Sequence, residues 1–431
     1  MSLKFRHYFL LLFLGFHHLS FGQGQGRSPY SAVGIGELSD ETNAVQDMMG
    51  GTGVSFGNTF YINALNPALV GKDRVVNGLK YVAFNVSGNG YFRNLEQGNS
   101  LSQDFGMNLS NLSMAFPVLR QWTVGVSFRP YSVVDNENYL RKPFSGGSSA
   151  ISSYTFSDYG GLSKVGLTNS FTLARGLHAG VEAQYYFGNV VRDTTSLFIS
   201  PSMQYNRYTG RSSLKGASLK GGVAYQQKLN KKWKANVGAT YQMGNNLKGE
   251  YLNIHQLLVE GTNGMIPSGA PDTLVIRNQT TSIPARYKVG LSLEKTYKWV
   301  LAAEYGFTDW EGISRPFDTR AAQTLRNSKE MNFGVEWIPN VNSTAYFNQV
   351  FYRAGFKSVT TPYYMNGIQV KDNSFSLGMS MPLGKGGSYV DWALAVGRRG
   401  TLDNNLVKEN YARISMSFSL MRDWFHRPRI Q

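Results

Sequence analysis

A pentapeptide near the start of the chain, residues 53–57 (GVSFG), has the glycine and serine spacing of a hydrolase nucleophile elbow. Such a serine needs a strand-turn-helix context and His and Asp partners, because a histidine must accept its proton. After residue 22 the histidines are His178, His255 and His426. His178 lies in an alternating strand pattern, His255 in a long predicted loop and His426 in the C-terminal tail. None has the surroundings of a catalytic base, so the sequence predicts that the protein is not an enzyme.

Metal and cofactor chemistry find equally little support. The 431 residues contain no cysteine, which excludes disulfides, thiolate zinc sites and thiol catalysis. Three scattered histidines give no metal-ligand spacing. The glycines of residues 51–57 depart from the dinucleotide fingerprint by one residue, and no βαβ unit surrounds them. We therefore expect no metal and no cofactor.

Charged residues recur on one face of otherwise apolar strand patterns, and four of them are candidate lumen residues: Glu182, Glu304, Glu336 and Arg353. A charge turned toward lipid costs about 2–4 kcal/mol at the bilayer midplane. The expected place of these side chains is therefore the inside of a barrel. There they either pair with opposite charges and pin a plug, which is the favoured interpretation, or contact a solute.

The elements that must position these residues follow a period of two. Trp122, Val124, Val126 and Phe128 alternate with polar or glycine residues, and residues 233–244 repeat the pattern. Successive side chains of a strand face opposite sides, so each segment has one apolar and one polar face. Many aromatic-rich segments of this kind, separated by turns, indicate a transmembrane β-barrel. The predicted fold is all-β, a 14-stranded antiparallel transmembrane barrel with an N-terminal plug inside the lumen.

Short and long links alternate between the predicted strands, as in outer-membrane barrels whose short turns face the periplasm. The long links are expected at 132–153, 191–208, 250–283, 309–329 and 360–372. The strands themselves are expected at 78–92, 103–116, 121–131, 154–173, 176–190, 209–228, 232–249, 284–295, 298–308, 330–338, 344–359, 373–383, 388–398 and 410–421.

The N-terminus has the features of a secretory signal peptide. Lys4 and Arg6 precede an apolar run, residues 8–16, and small residues stand before Gln23. The predicted organisation is therefore a signal peptide (1–22), a plug segment (23–76), the barrel (77–421) and a periplasmic tail (422–431). These features predict the outer membrane of a Gram-negative bacterium as the location.

The net charge of +16 does not point to nucleic acid, because the basic residues are spread over the chain rather than gathered in one module. A cationic barrel suits anionic head groups instead. The expected partners are outer-membrane lipid and lipopolysaccharide, hydrophobic small molecules, and other outer-membrane or periplasmic proteins, with no nucleic acid.

Two stretches resemble the FadL family of long-chain fatty acid and hydrophobic-compound channels. The first is residues 50–55 (GGTGVS) followed by 66–69 (NPAL), similar to the family's Gly/Ala-rich N-terminal segment with its Asn-Pro-Ala motif. The second is residues 307–311 (FTDWE), followed by 333–336 (FGVE) and 352–356 (YRAGF). The resemblance spans most of the mature chain, and fourteen strands is the family's number.

The resemblance implies a plugged barrel in which extracellular loops catch an apolar ligand that passes a gated lumen site and leaves sideways into the bilayer. It places the plug or gate residues Asn66, Pro67 and Ala68 where the plug meets strand one. In the longest predicted loop, the candidate ligand-catching residues are Leu257, Leu258, Val259, Met265 and Ile266.

Two functions remain open on this basis. The leading one is passive uptake of hydrophobic small molecules through an outer-membrane channel. The alternative is a non-transporting barrel subunit of an outer-membrane protein assembly or secretion complex. A strand kinked inward beside an apolar lumen pocket would favour the channel, and a sealed barrel without such a pocket would favour the subunit.

The alternation of link lengths predicts the orientation of the barrel. In this cysteine-free chain, Gly264→Cys should react with a membrane-impermeant maleimide on intact cells, because loop 250–283 should face outside. Asn342→Cys, in a periplasmic turn, should react only after the outer membrane is permeabilised. The reverse labelling pattern would contradict the orientation.

Overall fold

The alternating segments form one antiparallel sheet that closes on itself in the structure, a computed structural model. The structure describes residues 28–76, 79–143, 151–198, 204–261, 264–313, 325–384 and 387–423. The predicted signal peptide, His426 and the predicted tail beyond Asp423 lie outside these residues.

The strands are numbered in chain order: β1 (Glu37–Leu38), β2 (Val75–Val76), β3 (Leu79–Gln97), β4 (Ser100–Leu119), β5 (Trp122–Pro143), β6 (Ile151–Ala174), β7 (Leu177–Phe198), β8 (Gln204–Lys228), β9 (Trp233–Gln242), β10 (Asn245–Gly261), β11 (Gly264–Pro267), β12 (Asp272–Ile283), β13 (Ala285–Lys295), β14 (Trp299–Asp309), β15 (Ser328–Trp337), β16 (Phe351–Met365), β17 (Ile368–Pro382), β18 (Tyr389–Arg399) and β19 (Lys408–Asp423). A short helix, α1, covers Ala44–Met48, and 3₁₀ turns lie at Pro29–Ala32, Pro67–Leu69, Tyr346–Gln349 and Asp403–Asn405.

Fourteen strand positions make up the wall, which confirms the predicted barrel. The wall runs from β3 to β19, and β19 pairs with β3 to close it. β9 and β10 together occupy one strand position of the wall, and β12 and β13 together occupy the next. These two neighbouring positions are interrupted at the same height of the barrel. Pro284 separates β12 from β13 and has no N–H to donate to a ladder, and Gly244 lies opposite it.

The predicted long links are largely wrong, because the strands continue through them. β5, β7, β8, β10, β12 and β16 extend into the regions predicted as loops 132–153, 191–208, 250–283 and 360–372. Beyond the bilayer both faces of a strand are wet, so the apolar alternation disappears while backbone pairing goes on. The predicted strand 344–359 is also corrected, since Tyr346–Gln349 is a 3₁₀ turn and β16 begins at Phe351. β19 ends at Asp423 rather than at residue 421.

The wall has an apolar outer face and a polar inner face. In β14, for example, Leu301 is 46% exposed, whereas Glu304 on the opposite face is 6% exposed. Buried inward positions are rich in Ser, Thr, Asn, Lys, Arg and Glu. No helix of the described residues is long and apolar enough to cross a membrane. The polar inner face needs partners, and residues 28–76 supply them.

Candidate functional site in the barrel lumen

Residues 28–76, called the N-terminal segment, contact inward-facing groups of wall strands all around the barrel. Ala44 N bonds the hydroxyl of Ser417 in β19 at 3.2 Å, and Ser376 in β17 donates to Met48 O at 2.9 Å. On the other side, Ser170 in β6 donates to the Ala68 carbonyl at 2.9 Å. Since its partners surround it, the segment lies inside the barrel. Whether it blocks passage, as a plug would, stays a prediction.

An apolar layer inside the barrel is filled by the segment itself. Tyr30 is 2% exposed and Ile35 is 4% exposed. Tyr30 stacks on Tyr363 with ring centroids 5.9 Å apart, and its hydroxyl donates to the carbonyl of Val407. The other buried members of this layer come from many strands and from the link between β14 and β15: Tyr131, Leu162, Tyr186, Leu214, Leu247, Ile283, Trp310, Leu325, Tyr363 and Val370.

Four carboxylates in a stretch of the segment without basic residues face cations of the wall. Glu37 pairs with Arg399 of β18 at 2.6 Å. Asp40 pairs with Arg413 of β19 at 2.8 Å and also with Lys357 of β16. Each pair therefore joins the segment to a different part of the wall.

Glu41 and Asp47 continue this row of pairs. Glu41 lies 2.6 Å from Lys164 of β6, and Asp47 lies 3.2 Å from Arg413 and accepts from the hydroxyl of Ser415 at 2.7 Å. Buried ion pairs pay a desolvation cost that often cancels their attraction, whereas loss of one partner leaves an unpaired buried charge. The row thus fixes the position of the segment more than it adds stability.

Opposing effects act on the pKa of Glu41. Burial alone would raise it, but Lys164 and Lys220, together with Arg286 and Arg129, lower this pKa well below its usual value. The carboxylate therefore stays ionised at neutral pH. A carboxyl with a lowered pKa stabilises the fold above its unfolded-state pKa, and this contribution is lost as the pH falls toward the folded-state value.

One carboxylate of the wall holds the backbone of the segment. Glu304 Oε1 accepts from the N–H of Gly53 at 2.8 Å and of Val54 at 2.6 Å, with Ser55 N at 3.4 Å. The turn at residues 53–57, which has the spacing of a nucleophile elbow, directs its backbone amides at Glu304. The Ser55 hydroxyl has no hydrogen-bond partner among the described residues, and His178 contacts Thr172 at 3.2 Å instead.

Asn66, Pro67 and Ala68 lie against β6, β7 and β8, and not at the junction with strand one that the resemblance implied. Asn66 caps its own turn by accepting from Ala68 N at 2.9 Å, and it donates to the Val54 carbonyl at 2.7 Å. A Cβ atom at Gly180 would lie 2.4 Å from the Pro67 backbone carbon, and one at Gly222 would lie 2.1 Å from Asn66 Oδ1. Wall glycines thus leave the room in which this turn sits.

The remaining candidate lumen residues lie on the buried face of the wall. Arg353 Nε donates to Glu336 at 2.7 Å, and Arg353 Nη1 lies 3.9 Å from Met48 Sδ of the segment. Glu182 lies 3.3 Å from Arg129, whose other nitrogen donates to the Ala64 carbonyl at 2.8 Å. A solute-contact role for Glu182, Glu304, Glu336 and Arg353 stays a prediction.

The candidate ligand-catching residues belong to strands and not to a loop. Leu257, Leu258 and Val259 lie on β10, and Met265 and Ile266 lie on β11, which pairs with it. Leu258 is buried, whereas Leu257, Met265 and Ile266 are exposed. Ligand capture by this hairpin is untested.

Sequence reasoning missed the four segment carboxylates, although a signal was present. Glu37, Asp40, Glu41 and Asp47 fall within eleven residues that contain no Lys or Arg, in a chain with 43 basic and 27 acidic residues. An acidic stretch in so basic a chain, next to a wall with inward Lys and Arg, predicts electrostatic docking. Among the described residues, no group of three or more His, Asp or Glu is placed to hold a metal.

The wall has a seam between β4 and β5. Their ladder runs only from Leu119↔Trp122 to Leu112↔Phe128. Above it β4 stays paired with β3, and β5 with β6, while the described parts of β4 and β5 no longer pair with each other. β1 takes the edge that β4 leaves, since Leu38 pairs with Ser132 of β5. The N-terminal segment therefore backs the seam from inside.

Two cavities flank the segment at Glu37–Asp40, with volumes of about 70 and 80 Å³. Both are lined by charged side chains, among them Asp40, Lys357, Asp372 and Arg399. An apolar cavity of about 150 Å³ is known to hold benzene. These two cavities are smaller than that and suit water or ions rather than a hydrocarbon.

Comparisons with known proteins identify both a family and a fold. The family model described as BamG matches residues 4–431 of the chain. No curated protein sequence matches it.

Several solved structures are similar at low sequence identity. The Pseudomonas putida toluene transporter TodX is 14% identical with a TM-score of 0.59, over 90% of this chain and 100% of that one. The Ralstonia pickettii toluene transporter TbuX is 17% identical with a TM-score of 0.56, over 90% and 99%. A Pseudomonas aeruginosa FadL homologue is 12% identical with a TM-score of 0.55, over 91% and 100%. The likeness confirms the FadL-type fold that the sequence predicted.

The packing of the Asn66–Pro67 turn against the wall can be tested by substituting two neighbouring glycines. Gly222→Ala should destabilise the barrel by about 1–3 kcal/mol, because the new methyl group has to displace Asn66. Gly221→Ala is the matched control, since nothing lies within 4 Å of a Cβ at Gly221. The measurement is the temperature at which the compact band on a detergent gel disappears. Equal temperatures for the two variants would contradict the packing of this turn at Gly222.

Proposed function

The chain belongs to the BamG family, and we propose that it is an integral barrel of a Gram-negative outer membrane that serves as a non-transporting subunit of a protein assembly or secretion complex. The observation that carries this proposal is the occupied apolar layer. Tyr30 and Ile35 occupy the apolar layer of the lumen, and each is less than 5% exposed.

The ion pairs of the segment also support a permanently filled lumen. A passage for hydrocarbons would have to displace Glu37, Asp40, Glu41 and Asp47 from their cations, which would leave buried charges unpaired. The cavities that remain beside them are small and charged. Nothing in this arrangement supplies catalytic chemistry, so the proposal includes no enzyme activity.

A second candidate function, passage of hydrophobic small molecules, is favoured by the seam between β4 and β5. The similar solved structures include toluene transporters, and a seam in the wall gives an apolar molecule a route into the bilayer. In this chain, however, β1 and the charged cavity lie behind the seam. A transport route would therefore require the segment to move.

The subunit proposal predicts that the protein leaves the membrane as part of a larger assembly. Extracted in mild detergent at its natural abundance, it should migrate well above the 47.9 kDa of the full 431-residue chain and bring the same stoichiometric partners in repeated preparations. Deletion of its gene should leave toluene entry into cells unchanged. A monomeric protein whose loss slows toluene entry would overturn the proposal in favour of the channel.

The filled lumen predicts a low ion conductance that depends on the N-terminal segment. Deletion of residues 27–63, with the signal peptide retained, should raise the conductance in planar bilayers, because the segment no longer occupies the lumen. The folded state of the shortened barrel is checked by its heat-dependent gel migration. An unchanged conductance of a folded barrel would mean that the segment does not obstruct the lumen.

A further inference from the structure

Basic side chains gather on the outer face of the wall, toward the end opposite the short turns. Leu214 of β8 is 3% exposed and Leu247 of β10 is 0% exposed, so both point into the barrel. The next residue on each strand is an exposed lysine on the outer face. We call the following four exposed residues the outer basic patch: Arg211 and Lys215 on β8, Lys248 on β10 and Arg277 on β12.

The strand register brings two of these charges together. Lys215 and Lys248 are direct cross-strand partners. Like charges in such positions lie about 5 Å apart at Cβ and destabilise the pair. Among the described residues, no carboxylate forms an ion pair with either lysine. The two ammonium groups therefore leave room for an anion from outside the chain.

The carboxylates near the patch are too few to neutralise it. Glu250, two residues after Lys248 on the same face, lies 4.0 Å from Arg277. Asp193 of β7 lies farther from the short turns and already pairs with Arg207 at 2.6 Å. Four basic side chains against the one carboxylate of Glu250 leave three positive charges in excess.

The patch begins at the height where the hydrocarbon of the bilayer ends. From Ala217 to Tyr225 the outer face of β8 carries no charge. Tyr225 and Lys215 are ten residues apart, which is about 33 Å along a strand. A strand tilt of about 40° reduces this length to a height of about 25 Å, the height of the apolar band of an outer-membrane barrel.

Aromatic side chains border the patch on its hydrocarbon side. Phe187 of β7 is the cross-strand partner of Lys215 and is 39% exposed. Tyr185, which lies opposite Ala217, is 49% exposed, with its ring 6.2 Å from that of Phe187. Aromatic girdles of this kind mark the boundary between hydrocarbon and head groups. Lys215 and Lys248 therefore lie at the level of the lipid head groups.

We propose that the outer basic patch binds the phosphate groups of lipid A, the membrane anchor of lipopolysaccharide. Phosphate oxygens accept strong charge-assisted hydrogen bonds from ammonium and guanidinium groups. One phosphate between Lys215 and Lys248 would remove their mutual repulsion. The excess of three charges suits a lipid that carries more than one phosphate.

The position of the patch favours a lipid over an acidic protein. Its side chains point outward from the wall at head-group height, where an acidic protein segment would first have to displace the head groups. The inference rests on the outer-membrane location in the proposed function. It holds equally for a complex subunit and for a channel.

Removal of the two paired lysines tests the site in the full-length protein. Purified in detergent and mixed with bisphosphorylated lipid A, Lys215→Gln/Lys248→Gln should retain at least five-fold less of this lipid than the wild type, measured by native mass spectrometry. The matched control is Lys231→Gln/Lys232→Gln, which removes the same charge from exposed positions in the short turn after β8 and should retain the lipid. Both variants should keep the heat-dependent gel migration of the wild type. Equal retention by the two variants would overturn the proposal.

Two further probes identify the group that the patch recognises. Lipid A stripped of its phosphates should bind the wild type at least ten-fold more weakly, and equal binding would mean that acyl chains alone make the contact. Inorganic phosphate at the same concentration should leave bound lipid A in place. Displacement by inorganic phosphate would overturn a lipid site in favour of a general anion site.

The remaining outcomes separate this site from the function of the protein. A folded wild-type protein that binds no lipid A would overturn the site, while co-purification of stoichiometric partners would still support the subunit function. If Lys215→Gln/Lys248→Gln kept lipid A but lost a co-purified protein, the patch would be a protein contact and the proposal would be overturned.

Discussion

A closed β-barrel in lipid turns its polar groups inward, and these groups then need partners. Inside this barrel the inward-facing charged side chains of the wall, among them Lys164, Glu304 and Arg353, are almost entirely shielded from bulk water. Every charge there must be matched by an opposite charge or a hydrogen bond, since an unpaired buried charge costs several kcal/mol. The N-terminal segment meets this requirement with its acidic stretch and with its own backbone amides. Its position in the lumen follows from that pairing.

The fit between segment and wall is also steric. Gly180 and Gly222 are direct cross-strand partners. Because neither has a side chain, the Asn66–Pro67 turn packs directly on the backbone of the wall. Gly334 and Gly355 form a second such pair, beneath Met49 and Gly50. Larger side chains at these positions would hold the segment away from its ion-pair partners. The wall is thus lined with glycines where it accepts the polypeptide of the segment.

The sequence predicts the wall well, because lipid imposes a clear period of two on segments such as residues 122–130. It fails for strands outside the bilayer, where nothing forces apolar and polar residues to alternate. The pattern therefore predicts a loop at 250–283, where the structure has β10, β11 and β12. The sequence identifies Leu257 and Ile266 as ligand-catching candidates, but their place on a sheet depends on backbone pairing with Asn206 and Val259, which the sequence pattern does not reveal.

The sequence predicts the charged residues of the wall at the lumen site, but not their partners in the N-terminal segment. Glu304, Glu336 and Arg353 stand out because each is a charge in an apolar strand, and the structure places them on the buried face. Their partners were not predictable, because the irregular segment has no period that would reveal its path. Asn66 shows this limit, since its motif identified a turn whose contacts lie on β8, more than 150 residues later.

The contacts of the segment have a consequence for the order of folding. Glu37 and Leu38 complete a ladder with β5, while Asp40 and Asp47 find their cation, Arg413, on β19, the last strand of the chain. The part of the mature barrel that is synthesised first therefore cannot finish folding until the last strand has been inserted. Closure of the wall, where β19 meets β3, and seating of the segment become a single late event. A chain stalled before β19 would leave Asp47 without Arg413, the cation that it faces in the complete barrel.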